Sequence, residues 1–378
     1  MKISALEAIV LRQEELDDTR ADGGQDTLLI RVHTSDGLVG VGEVDSSPEI
    51  CKAVIDAPAS HSIMKGLREL LVGHDLVDAR ETWDFLYKGS IYGGRRGAGI
   101  HAMSGVDIAL WDIIGQSLQK PVSELLGDKP RSQIRVYASR LMENTVELVK
   151  ATVAESKNQG FTALKLGWGP IGENRAQDLA LMTAAREEAG DDMELMLDAG
   201  HGYGNNVEEA TFIASALAEL GYKWLEEPFL PDEIDAYTAL TKKKILPIAA
   251  GEQNATRWEF QELARAEALD VWQPDIARCG GISEMLRIAE IAEQYGVRVV
   301  PHAWKSGILK AASLHVNAVI AGERIQEWST ADNPLAQKLV DTEMPVVDGA
   351  VEVPRQPGLG VSVDESIVER FLVARSGL

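Results

Sequence analysis

At 378 residues the chain has room for a β/α barrel of about 250 residues and a smaller companion. It is 45% hydrophobic and 25% charged, as ordinary globular proteins are, and its formal charge of −22 argues against nucleic acid or an anionic membrane as the main partner. A small anionic substrate stays open, because a bound cation dominates its own site whatever the net charge.

The strand-like run ISALEAIVL (3–11) opens the chain. Glu7 interrupts its apolar character and no small-residue cleavage site follows, so it reads as a first strand and not as a signal peptide. TLLIRVHT (27–34), the Ser35-Asp36-Gly37 turn and VGVGEV (39–44) continue a small antiparallel sheet, and the apolar face of 102–118 predicts a long helix. Residues 1–127 are therefore expected to form an α+β capping domain.

From Ile134 the rhythm becomes strand then helix. Strands are predicted at 134–139, 162–166, 194–198, 223–227, 247–252, 269–274, 297–302 and 324–328, with helical patterns such as 207–220 between them. The eighth strand has no convincing helix after it, so 128–330 reads as a (β/α)7β TIM-like barrel, and the Pro/Gly-rich segment 331–378 is expected to pack back on the capping domain. No stretch of about 18 uncharged apolar residues offers a membrane span. Cys51 and Cys279, without metal-ligand spacing, fit a reducing cytoplasm.

Seven polar residues stand at or just after the ends of these runs: Lys165, Asp198, Glu226, Glu252, Asp275, His302 and Glu327. Successive members stand from 23 positions apart (Glu252 to Asp275) to 33 (Lys165 to Asp198), which is one strand, one helix and two loops. A β/α barrel delivers its chemistry that way, each strand offering one residue to a common mouth. Asp198, Glu226 and Glu252 bring carboxylate oxygens from three successive strands, a hard donor set that suits Mg²⁺ or Mn²⁺ rather than Zn²⁺. Any one of them alone would be read as a cap of the following helix. Three in register beside a lysine and a histidine point to a metal site with proton transfer next to it.

Taken in order, GFTALKLG, LMLDAGHGY, WLEEPF, GEQN, QPDIARCGG, VPHAW and IQEW resemble the mandelate racemase subgroup of the enolase superfamily. GIHAMSGVDIALWDI and the closing PGLGV extend the resemblance over nearly the whole chain. It implies Mg²⁺ on Asp198, Glu226 and Glu252, a small-molecule carboxylate substrate on that ion, and removal of the proton on the adjacent carbon to give an enediolate. That mechanism comes with the resemblance and not from the spacing. Glu226 takes the ligand position as the first acid before the proline, which leaves Glu227 to point the other way. The resemblance makes His302 the base, Asp275 the acid that orients it, and Glu327 a protonated or strongly hydrogen-bonded acid at the substrate carboxylate. Lys165 falls on the first lysine of the family's Lys-x-Lys pair and contacts that carboxylate. Arg140, His201 and Trp304, with Tyr203 and Lys305, lie on loops at the mouth where substrate is met, and segments 19–26 and 46–51 are expected to close over it. A homo-oligomer is also implied.

Gly167 stands where relatives carry the second lysine. Inversion at a carbon needs two opposed bases, so this loss weighs against racemisation. It leaves His302 to abstract a proton and, once protonated, to assist departure of a β-hydroxyl from the same face. The expected activity is that of a hydro-lyase, dehydrating an aldonate or aldarate to a 2-keto-3-deoxy acid. VPHAWKSGI and EWSTADNP also resemble the subgroup's sugar-lactone cycloisomerases, the nearest alternative together with epimerases. Two further readings are a sugar-acid-binding descendant without activity, opposed by the complete ligand set, and a metal-free aldolase with Lys165 as Schiff base, opposed by the three carboxylates nearby.

Overall fold

Alternating valine and glycine in VGVGEV lets a helix lie directly on a sheet. The structure, a computed structural model, describes residues 1–322 and 325–377. β1 (Ile3–Arg12), β2 (Asp26–Thr34) and β3 (Val39–Val44) pair antiparallel. A Cβ on Gly40 or Gly42 would overlap the carbonyl oxygen of Ala109 or Gly105, so glycine is what admits the helix Ala98–Leu118 this closely. Its other side meets the helix Gly281–Tyr295, where Asp107 accepts from Ser283 N–H (2.8 Å) and Oγ (2.6 Å) and Trp111 Nε1 donates to the same Oγ (2.9 Å).

Eight parallel strands follow: β4 (Gln133–Leu141), β5 (Ala163–Gly167), β6 (Glu194–Asp198), β7 (Leu225–Glu226), β8 (Ile248–Ala250), β9 (Val271–Trp272), β10 (Arg298–Val299) and β11 (Ile325–Ser329). Arg324, the first residue of the eighth predicted strand, lies outside the described residues. The strands curl in the order β10-β9-β8-β7-β6-β5-β4-β11. Across the seam between β10 and β11, Glu327 accepts the Ala303 N–H at 2.7 Å. Predicted runs of five or six residues shorten to two at β7, β9 and β10; Pro228, Pro274 and Pro301, which bring no N–H to the ladder, stand at their C-terminal ends.

A barrel helix follows each of the first seven strands, whereas β11 leads only to the short helix Pro334–Lys338. The tail, expected on the capping domain, touches both bodies. β12 (Ala350–Glu352) pairs antiparallel with β4 of the barrel, and β13 (Leu372–Ser376) pairs antiparallel with β1. Leu378, the end of that segment, lies outside the described residues. Among the described residues no helix is long and apolar enough to cross a membrane.

Period-two alternation sets the floor of the mouth. One residue per strand, Tyr137, Ala163, Met196, Trp224, Ala249, Val271, Val300 and Ile325, fills the barrel interior. Two positions further along, on the same face one layer up, come Ser139, Lys165, Asp198, Glu226, Gly251, Gln273, His302 and Glu327. The strand β8 is the exception: Gly251 takes the slot with a φ of 132°, and the turn it makes delivers Glu252 instead.

Candidate active site

Asp198 ends β6, Glu226 ends β7 and Glu252 follows β8, and one oxygen from each lies within 4.8 Å of the others. All three are buried. Asp198 Oδ1 accepts from Gly200 N–H (2.9 Å), Glu226 Oε2 from Trp224 Nε1 (3.0 Å) and Gln273 Nε2 (2.7 Å), and Glu252 Oε1 from Arg278 Nη1 (2.9 Å). Burial, reinforced by the like charge of Glu226, pushes the Asp198 carboxyl well above the usual aspartate range. Desolvated carboxylates crowded this closely are what a cation satisfies, and an all-oxygen set fits a hard divalent one. Glu227 stands outside the trio, with its Oε2 3.0 Å from His201 Nε2.

Lys165 reaches into the same layer. Its Nζ donates to Glu226 Oε1 and lies 2.9 Å from Glu327 Oε1 and 3.6 Å from Asp198 Oδ2, over the ring of Tyr137. Burial opposes its charge, but Glu226 and Glu327 together hold it protonated, well above an ordinary lysine. Glu327 also accepts from Ser139 Oγ at 2.7 Å. Burial would raise its pKa, yet Lys165 and His302 bring it down to about 2, which favours a strongly hydrogen-bonded, ionised Glu327.

His302 follows β10 and meets Asp275 from the loop after β9, Nδ1 to Oδ2, at 2.6 Å. Its Nε2 faces Glu252 Oε2 at 3.2 Å and Glu327 Oε2 at 3.6 Å. Burial disfavours the imidazolium, but Glu252 and Glu327 outweigh it and hold His302 up to about 10.

Lys165, Asp198, Glu252, His302 and Glu327 line a cavity of about 360 Å³, together with Arg140 and Trp304, while Glu226 and Asp275 are buried outside its lining. Arg140 also pairs with Glu155 at 3.1 Å, and Trp304 Nε1 donates to Asp22 Oδ1 at 3.1 Å. Arg20, Ala21, Asp22 and Gly23 close one side, as expected of 19–26. The other capping segment, 46–51, does not line this cavity; Ser47 begins the helix Pro48–Asp56. His201, expected at the substrate, is absent from the lining too, since its φ of 65° turns the ring to Glu227 and edge-on to Trp168. Tyr203 is buried against Asp178 at 3.3 Å. Lys305 is buried behind the cavity wall.

Sequence reasoning passed over Ser139, Gln273 and Arg278. The first two are legible by counting two residues past Tyr137 and Val271. Arg278, three residues past Asp275, bridges Glu252 and Asp45 (2.7 Å), and only the folded loop reveals that.

Residues 19–127 match the family described as Mandelate racemase / muconate lactonizing enzyme, N-terminal domain, and residues 147–367 match Enolase C-terminal domain-like. The chain is 34% identical over 361 residues to D-galactarolactone cycloisomerase of Agrobacterium fabrum, covering 91% of this chain and 90% of that protein. It is 33% identical over 354 residues to arabinonate dehydratase of Saccharolobus solfataricus, covering 93% and 92%. The crystal structure of the 3,6-anhydro-D-galactonate cycloisomerase of Zobellia galactanivorans matches with a TM-score of 0.89 at 32% identity, over 99% of this chain and 100% of that one. With both family matches spanning its two bodies, the chain belongs to the mandelate racemase / muconate lactonizing enzyme family of the enolase superfamily.

Proposed function

We propose that the protein is a Mg²⁺-dependent acid-sugar dehydratase, taking the proton next to the carboxylate of an aldonate or aldarate and expelling the β-hydroxyl as water. The observation that carries this reading is a trio of crowded carboxylates, two of them in the wall of one cavity with an Asp-oriented imidazole, and glycine at 167 where a second base would stand. Mn²⁺ is the expected substitute. Bound to Asp198, Glu226 and Glu252, the cation supplies charge stabilisation where the second negative charge of the enediolate develops, and it offsets the negative field that keeps His302 protonated.

His302 Nε2 accepts the α-proton, while Asp275 on Nδ1 fixes the tautomer and stabilises the imidazolium. The same Nε2–H then passes to the β-hydroxyl. Its C–O bond breaks as the enediolate electron pair forms the C2–C3 double bond, water leaves, and the enol becomes the 2-keto-3-deoxy acid. Lys165 meets the substrate carboxylate, Glu327 meets it through a proton taken up as that second negative charge enters, and Arg140 and Trp304 meet its far end. The test is a screen of diastereomeric aldonates and aldarates with Mg²⁺, read by α-keto acid formation and polarimetry. Neither product nor α-deuterium exchange with any acid in the set would sink the reading.

The similarity to two cycloisomerases supports a second reading, in which the same enediolate expels a ring oxygen from the β-carbon in place of a hydroxyl: the ring C–O bond breaks, His302 protonates the freed oxygen, which stays in the molecule, and no water is lost. An α-keto acid of the same mass as its cyclic substrate identifies it, whereas dehydration lowers the mass by one water. The proposal also includes a homo-oligomer, checked by light scattering, and residence in the reducing cytoplasm, in keeping with free, buried Cys51 and Cys279.

A further inference from the structure

Lys305 is a buried ammonium that spends its donors on main chain. Its side chain is 3% exposed, and Nζ donates to the carbonyls of Gly23 and of Asp26 (2.6 Å), with Asp45 Oδ1 at 3.4 Å. Holding an ammonium out of water is unfavourable by several kcal/mol unless every donor is satisfied, so this lysine is bound to the position of 23–26. That segment ends a loop whose two sides meet where Gln13 N–H donates to Gln25 O (3.0 Å), and the same loop supplies the cavity wall at Arg20 to Gly23.

The other side of Lys305 leads back to the chemistry. Asp45 Oδ2 accepts from Arg278 Nη2 (2.7 Å), Arg278 Nη1 donates to Glu252 Oε1 (2.9 Å), and Glu252 Oε2 lies 3.2 Å from His302 Nε2. His302 precedes Lys305 by three residues on the loop after β10. The contacts therefore form a closed ring: Lys305, Asp45, Arg278, Glu252, His302 and back along the chain to Lys305. We propose that Lys305, Asp45 and Arg278 are positioning residues that make the seating of the 13–25 loop and the orientation of Glu252 one coupled event. Lifting the loop removes two acceptors from Lys305. The ammonium then draws on Asp45, and Arg278 releases Glu252 from its orientation toward His302. This rests on the reading of Glu252 as a cation ligand.

The test uses the full chain carrying Arg278→Met, Lys305→Met or Asp45→Asn, each checked for fold by circular dichroism. Hydrogen exchange of peptides covering 13–26 is followed without metal or substrate, and Mg²⁺ alone is titrated calorimetrically. A coupling of ordinary size, about 5-fold or more, is expected in both directions. Arg278→Met speeds exchange in 13–26 although, among the described residues, its side chain bonds Asp45 and Glu252 and nothing in that loop, and Lys305→Met weakens Mg²⁺ although it touches none of the three carboxylates. With the best substrate from the screen, Lys305→Met raises KM more than it lowers kcat. Should either methionine variant misfold, Asp45→Asn carries both measurements. Loop exchange unchanged in Arg278→Met overturns the proposal, as does unchanged Mg²⁺ affinity in a Lys305→Met protein whose loop has loosened. If the unmodified protein binds no Mg²⁺, the proposed function fails, and the metal-free exchange still decides the ring.

Discussion

Replacing Gly167 tests why this chain lacks a second lysine. A Cβ there would overlap Asp198 Cβ and stand 2.6 Å from the Asp198 carbonyl oxygen, against ordinary contacts of about 3.5–4.0 Å. β5 would have to withdraw from β6 by about 1 Å. Yet Trp168 N–H donates to that same oxygen at 3.0 Å, and the ladder pairs Lys165 with Met196 just below. Overpacking of this kind costs about 1–3 kcal/mol, which Gly167→Ala should show as a lowered urea midpoint at unchanged slope. Because Asp198 is the displaced group, each 1.4 kcal/mol transmitted to it weakens Mg²⁺ about tenfold by calorimetry. Gly167→Lys meets the same overlap before its ammonium reaches the cavity, so it should not epimerise substrate. Proton NMR in deuterium oxide decides that point. Gly167→Ala with unaltered stability and Mg²⁺ affinity would show that β5 and β6 have room for a side chain at 167, and both α-epimers formed by the unmodified protein would rule out a single base.

Glu252→Gln should abolish turnover while circular dichroism stays unchanged, and exhaustive chelation should do the same to the unmodified enzyme; full activity after chelation counts against the metal assignment. His302→Asn should remove α-proton exchange together with product, a loss of about 10²–10⁴ for a general base, whereas Asp275→Asn weakens both without abolishing them. Near-normal exchange in His302→Asn would shift the base to Lys165. Burial holds His315 down to about 4, with Nδ1 accepting from Ser123 N–H (3.1 Å) and Nε2 donating to Leu359 O (3.0 Å). The unfolded chain protonates first, so this stability is present above pH 6.5 and falls by about 2 kcal/mol near pH 5. His315→Gln should flatten urea stability between those pH values, and an unchanged slope would show that other groups dominate.

Much of the barrel was legible because one polar residue interrupts each apolar run at the position where strand alternation turns it upward. Lys165, Asp198, Glu226, His302 and Glu327 obey that count, and so does the apolar layer beneath them. Glu252 breaks the count, and its register depends on the backbone of Gly251. His201 sits close to Asp198 in sequence, but a left-handed φ in the following turn sends it to Glu227; no periodicity encodes that. Asp45 and Arg278 were opaque for another reason, and Lys305 was read only as a residue of the mouth. Each lies at a strand end or on a loop, and Asp45 meets Arg278 and Lys305 across the two bodies of the fold. Segment 46–51, expected to close over the mouth, begins the helix Pro48–Asp56 instead and lies outside the cavity lining.

The buried carboxylates imply that the site works against the stability of the cation-free protein. Burial and the charge of Glu226 raise the Asp198 pKa. A carboxyl raised in the folded state contributes stability at low pH and loses it as pH rises through the folded value, so the ionised form is destabilising at neutral pH. Asp198→Asn removes that charge and keeps the acceptor for Gly200 N–H (2.9 Å), while Lys165 retains Glu226 and Glu327. The variant should therefore be more stable than the unmodified protein near pH 8 without metal. Mg²⁺ at 100 times its Kd adds about 2.7 kcal/mol to the unmodified protein by mass action and should add nothing to the variant. Urea titrations with and without Mg²⁺ give all four values. A metal-free Asp198→Asn protein less stable than its parent would mean that Lys165, 3.6 Å from Asp198 Oδ2, already neutralises the site before any cation arrives.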